Sequence, residues 1–206
     1  MKTLYFLIFV SVIISSCSSV SFMETQPNGG TLLNEIPKEL QGNWSVEKAS
    51  ISIDKNGFDI NSQEIKNAHI ILNDTFRLYK ANNYYVFNFS NKDKEKWEII
   101  LLKKLKNGDI NIYETRDYRL FAKDKNLKIE SVYYGNTGEA LDTTVKQINP
   151  DLHEKSSFQV AVFSGRITLK TLDKITKSNR NILLNLKKDG TIIFMEEGKV
   201  LDSKND

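Results

Sequence analysis

The histidines and cysteines that most readily serve as metal ligands, nucleophiles or general bases are few, and their spacing suits none of those tasks. The 206-residue chain holds two histidines, His69 and His153, and one cysteine, Cys17. The acid beside a histidine is Glu154, next to His153. Sequence neighbours point to opposite faces of a strand and do not converge on a helix either. Both histidines therefore read as surface residues, His153 in the first turns of a helix opened by Asn149-Pro150-Asp151. No Gly-x-Ser-x-Gly, His-Glu-x-x-His or phosphate-cradling glycine loop occurs. In Asp54-Lys55-Asn56-Gly57 the glycine comes three positions after the aspartate, whereas an EF-hand loop needs it five positions on. That stretch reads as a hairpin turn. A single cysteine can neither close a disulfide within the chain nor build a zinc site. No catalytic residue, metal site or cofactor is expected. Acids brought together from separate strands leave a hydrolase open as an alternative.

The surroundings of Cys17 give it a different task. Met1-Lys2-Thr3 carries one positive charge, and Leu4 to Ile14 is an apolar run of eleven residues, well short of the ~20 a spanning helix needs. Ile14-Ser15-Ser16-Cys17 closes the run. This segment resembles a bacterial lipobox: an aliphatic and two small residues for a signal peptidase, then the cysteine that is acylated and begins the mature protein. The resemblance implies a signal peptide over 1–16, with Ile14, Ser15 and Ser16 recognised by the peptidase and Cys17 carrying the lipid. Two or three acyl chains, at ~0.8 kcal/mol per buried CH₂, hold a protein stably where one does not. Ser18-Ser19 follow the cysteine in place of an aspartate. In lipoproteins with the better-known sorting pattern, that implies the outer membrane, facing the periplasm. An acidic stretch just after the cysteine marks surface export in some groups; here the first acid is Glu24, so surface exposure is not favoured, though it stays open.

Four regions follow. After the signal, 17–35 is the lipidated cysteine and a flexible tether, polar and broken by Pro27 and Asn28-Gly29-Gly30, with a random-coil span of ~20–25 Å. Residues 36–198 form a single β-rich domain, and 199–206 a frayed tail. A charge of +3 with mixed signs leaves no clustered basic footprint, so nucleic acid is not expected as a partner.

The elements that must position any site read as short aromatic and β-branched runs between turn residues from Leu40 to Tyr134. Asn56-Gly57 predicts a type I′ turn, and Asn73-Asp74 joins His69–Leu72 to Phe76–Tyr79. Tyr85, Phe87 and Phe89 share a face of the next strand. Trp97–Leu105 and Ile110–Thr115 make the clearest hairpin, and Ile99-Ile100-Leu101-Leu102 does not alternate, so that strand should be covered on both sides. Leu127–Tyr133 alternates. Later, Phe158–Phe163 is a candidate strand, and Thr168–Ser178 places Leu169, Leu172 and Ile175 on one helical face and Lys170, Lys174 and Lys177 on the other. Ile182–Leu186 and Thr191–Met195 flank Lys188-Asp189-Gly190 as a last hairpin. The expected fold is mainly β: an antiparallel meander or barrel-like domain with one C-terminal helix packed on it.

Leu40-Gln41-Gly42-Asn43-Trp44 resembles the opening of lipocalin-like domains, in which Gly-x-Trp closes the bottom of an up-and-down barrel. That resemblance implies a ligand cavity. Trp44, Tyr85, Phe87, Phe89 and Trp97, within a wider aromatic set, either line such a cavity or pack as core. The expected function is a non-catalytic binding or interaction domain on a membrane face; the alternatives are a carrier of a small apolar ligand and an immunity-type lipoprotein that binds a toxin. Asp142-Thr143-Thr144 resembles a short O-glycan acceptor.

Overall fold

A computed structural model describes residues 18–46, 49–62, 68–90, 95–115, 117–135, 158–196 and 199–200. The expected signal segment with Cys17, the His153 helix and Asp142-Thr143-Thr144 lie outside them.

Among the described residues the domain is mainly β, with one α-helix packed near its C-terminus. A hairpin-connected meander of β3 (Gly42–Val46), β4 (Ala49–Ile53), β5 (Gly57–Ser62) and β6 (Ala68–Ile71) makes a four-stranded sheet. The larger sheet is built around β9 (Trp97–Lys104). On one side β9 pairs with β8 (Tyr84–Ser90), then β7 (Phe76–Ala81), then β2 (Thr31–Leu33). Its other edge is divided. Leu101–Lys104 pair with β10 (Ile110–Tyr113), which continues to β13 (Ile182–Leu186), β14 (Ile192–Glu196) and β15 (Lys199–Val200), while Trp97 pairs with Phe22 of β1 (Ser18–Phe22). β1 continues in parallel to β12 (Phe158–Gly165), which pairs antiparallel with β11 (Leu127–Gly135).

Two cores follow from the pleat, because successive side chains of the central strands face opposite ways. Tyr84, Val86, Ile99 and Leu101 face a first core, closed by Phe22, Val132, Phe163, the turn residues Tyr118 and Phe121, and Leu172 and Ile175 of helix α1 (Leu169–Lys177). Tyr85, Phe87 and Leu102 face a second core, roofed by Trp44, Ile51 and Ile53 of the four-stranded sheet. Burial on both faces is why β9 reads as Ile-Ile-Leu-Leu rather than alternating.

Several expectations change. The barrel-like β-domain is not closed by strand pairing among the described residues; the two sheets are joined by a single bridge at β3, where Ser45 N–H donates to the Gly190 carbonyl at 2.8 Å. Asn73 and Asp74 do not join a paired hairpin, since β6 and β7 belong to different sheets. Gly57 does not take positive φ. It is small because a Cβ there would lie 1.9 Å from the Ile70 carbonyl oxygen of the neighbouring strand, while Asp54 Oδ1 holds the turn by accepting from the N–H groups of Asn56 and Gly57. The helix buries Thr171, Leu172, Ile175 and Thr176, and Leu169 at its first turn is exposed. Lys199 and Val200, expected in the frayed tail, pair with β14.

The largest correction concerns Ser18–Glu35. Expected as a tether, it supplies β1 and β2 and buries Phe22 and Gln26 completely. Polar composition misled because its polar groups are satisfied inside the fold, which removes the cost of burying them. Gln26 Nε2 donates to the Glu24 and Gly165 carbonyls, its Oε1 accepts from Ile167 N–H, and Glu24 Oε2 accepts from Gly165 N–H.

Candidate functional site

Among the described residues two places gather residue types that could meet a ligand. The first is an apolar cleft between the sheets. Ile51, Ile53, Phe58 and Ile60 form one wall, and Phe87, Phe89, Ile100, Leu102, Ile112 and Leu186 form the other. It reaches Val20, Tyr113 and Thr115 where the edge of β9 divides between β1 and β10, and Glu98 and Glu114 are its acidic residues. Thr115 Oγ1 donates to the Ile99 carbonyl there (2.8 Å), satisfying a strand group between the two partners. Aromatic contacts tie the two walls together: Phe76 and Phe87 stack at 5.2 Å, and Phe58 from the facing wall meets them edge-on at 5.3 and 6.2 Å.

The cleft holds about 100 Å³, against the ~300 Å³ at which small-molecule sites begin. A benzene-sized apolar group is the scale of solute it suits.

Of the aromatics singled out from sequence, Phe87 and Phe89 line this cleft. Trp44 and Tyr85 pack in the same core without lining it. Trp44 is no barrel plug: its Nε1 donates to the Lys187 carbonyl (3.0 Å), and its ring lies so close over Gly42 that a Cβ there would be 2.8 Å from it. Gly-x-Trp is thus a same-face pair on β3 in which the absent side chain makes room for the ring. Tyr85 donates to Glu39 Oε1, with Lys80 over its ring at 5.2 Å. The Tyr85 hydroxyl pKa is raised, first by burial and then by the Glu39 hydrogen bond. Trp97 lies at the start of β9 beneath the Arg77 guanidinium, 5.2 Å away.

The second place is a polar row across the outer face of the four-stranded sheet. Register sets Asn43, Ser52, Asp59 and His69 side by side on β3, β4, β5 and β6. Ser52 Oγ donates to Asn43 Oδ1 and His69 Nδ1 meets Asp59 Oδ1, both at 2.6 Å. Sequence reading missed Asp59 as the partner of His69. The residues are ten apart, and only cross-strand pairing brings them together. Ser, Asp and His occur in one row, but in the wrong order for nucleophilic catalysis. The aspartate stands between serine and histidine, whereas a triad needs the imidazole between them to take the hydroxyl proton. His69 and Asp59 side chains are also 59% and 54% exposed, so water competes for both. This row does the work of cross-strand pairing on a solvent face.

Among the described residues no three His, Cys, Asp or Glu side chains converge in a way that could hold a metal ion. The buried acids are tied to backbone and lysine. Asp109, at the β9–β10 turn, accepts from Lys188 N–H and Lys187 Nζ at 3.0 Å each. Asp124 accepts from Thr168 N–H and Oγ1 at 2.8 Å each, where α1 begins. Burial alone would raise the Asp124 pKa, but these donors and Asn126 N–H hold it below the usual carboxylate value.

No protein-family model, curated protein or solved structure matches the chain. Among the described residues no helix is long and apolar enough to cross a membrane.

Proposed function

We propose that the protein is a lipid-anchored lipoprotein of the cell envelope whose β-rich domain is a non-catalytic binding module. The observation that carries this reading is the order of the N-terminal sequence: one lysine, an eleven-residue run that is apolar but for Ser11 and ends at Ile14, then Ser15-Ser16-Cys17. An apolar run of that length suits an export signal and is too short to span. The thiol of Cys17 then takes the diacylglyceryl group, and Ser18-Ser19 direct the protein to the outer membrane, facing the periplasm.

A protein partner suits the domain better than a carried ligand. Both cores are clusters of buried apolar side chains, and the inter-sheet cleft is about 100 Å³, too small for the apolar ligand of a lipocalin-like carrier. A secreted toxin, neutralised at the membrane, is one partner of this kind.

Replacing the anchor residue tests the reading. Cys17→Ala should leave unprocessed precursor and move the protein out of the detergent phase, while the native chain shows a diacylglyceryl-modified cysteine by intact mass. Normal processing and membrane retention in Cys17→Ala would refute it. Native mass spectrometry of the delipidated domain then looks for a co-purifying partner.

A further inference from the structure

We infer that the domain stands directly on the membrane by one defined end, the end of the large sheet at which β1 starts. This rests on the lipidation of Cys17 proposed above and adds to it a fixed orientation.

Covalent geometry leaves no slack at the anchor. Across a trans peptide the Cα of Cys17 is about 3.8 Å from that of Ser18. Ser18 is already in register with Gln159 of β12, and Val20 is buried in the first core. The lipid-bearing residue is thus three positions, at most ~11 Å, from the core. Nor can β1 be peeled away to serve as a tether. It lies between β12 and the start of β9, and Phe22 at its end is completely buried against Phe121 and Phe163 at ring distances of 5.3 and 5.8 Å.

Register then identifies what shares that end. Because β1 and β12 run parallel, Ser18 pairs with Gln159, which pairs with Tyr134 of β11; Phe158 pairs with Gly135. Tyr133, Tyr134 and Phe158 therefore occupy strand positions beside the anchor. At the opposite end of the same strands Leu127 pairs with Gly165, and Lys123, Lys125, Lys128 and Arg166 are exposed to solvent. β11 runs nine residues from one end to the other, about 26 Å at ~3.3 Å per residue. The charged end is thus held roughly three Debye lengths (~8 Å each) from the headgroups.

The lone cysteine makes the test clean, because acylated Cys17 has no free thiol and an introduced cysteine is the only one to take a label. Gly135→Cys and, as a second near-end site, Gln159→Cys are compared with Lys128→Cys at the far end. Each full-length lipidated protein is placed in phosphatidylethanolamine–phosphatidylglycerol vesicles carrying a headgroup-attached quencher. Labels at 135 and 159 should be quenched several-fold more than the label at 128. A flexible ten-residue Gly-Ser insertion between Cys17 and Ser18 should erase most of that difference. Equal quenching at the two ends, or stronger quenching at 128, would overturn the orientation. Intact mass on the same samples separates the two claims: a missing diacylglyceryl group removes the anchor and the orientation with it, whereas equal quenching on a lipidated chain removes the orientation alone.

Discussion

Gln26 and Asn88 exchange two hydrogen bonds in the interior. The Gln26 N–H donates to Asn88 Oδ1 at 2.6 Å, and Asn88 Nδ2 donates back to the Gln26 carbonyl at 2.8 Å. A side-chain amide on β8 thus pairs with a backbone residue 62 positions away, as a neighbouring strand would. Both residues are fully buried. The pair holds the segment after β1 against the central sheet, which makes residues 24–28 part of the fold.

Asn88→Ala removes both partners at once and leaves the Gln26 backbone groups buried and unpaired. At about 1–3 kcal/mol for each orphaned group, the loss should be ~3 kcal/mol or more. A domain of this size should then melt about 6–12 °C lower. Circular dichroism melts of native and Asn88→Ala protein check this; an unchanged midpoint would mean the contact is not formed.

Acid should destabilise the domain partly through Asp124. Its folded pKa lies below the ordinary value because the Thr168 and Asn126 donors outweigh burial. The stabilisation is therefore complete above the unfolded value near ~3.9 and disappears as pH falls through the lower folded value. Asp124→Asn should cost ~2–3 kcal/mol at pH 7, where a buried charge-assisted acceptor is lost, and much less near pH 2. Urea midpoints of both proteins across this pH range measure the difference, and a pH-independent gap would contradict the assignment.

Gly57→Ala should separate β5 from β6. Its methyl group would sit 1.9 Å from the Ile70 carbonyl oxygen, so the strands must move apart at a cost of ~1–3 kcal/mol, as for other overpacked sites. Faster amide exchange confined to β6 and its pairing partner is the expected signature. Asn56→Ala, one residue earlier and exposed, should cost less than half as much.

The inter-sheet cleft should discriminate by size. At about 100 Å³ it should admit xenon or a benzene-sized solute and raise the melting temperature by a degree or two in their presence. Long-chain fatty acids should leave the melting temperature of the delipidated domain unchanged. A large fatty-acid-dependent rise would restore the carrier reading.

Strand positions were legible where local chemistry and tertiary demand agree. The β9–β10 hairpin shows in two apolar runs around Asn107-Gly108, and Gly108 does take positive φ. The Ile99–Leu102 run announced burial on both faces, and Thr168 followed by spaced Leu172 and Ile175 marked the helix. The failures have one origin, which is pairing between distant segments. His69 finds Asp59 only through β5–β6 register, and Trp44 finds the Lys187 carbonyl only when the sheets stack. Nothing near Gln26 announces Asn88.

The sequence by itself determined a β-rich chain with one late amphipathic helix, and it placed an export-like apolar run and Ile14-Ser15-Ser16-Cys17 immediately before the domain. Those are local patterns, read from period and order along the chain. Only the tertiary structure decided that Ser18–Phe22 is a strand of the fold, that β1 lies parallel to β12, and that the two sheets enclose a small cleft. The reason is physical. A polar segment such as Ser18–Glu35 is a tether when its polar groups meet water and a core strand when they meet Asn88, Gly165 and Ile167, and its composition is the same in both cases.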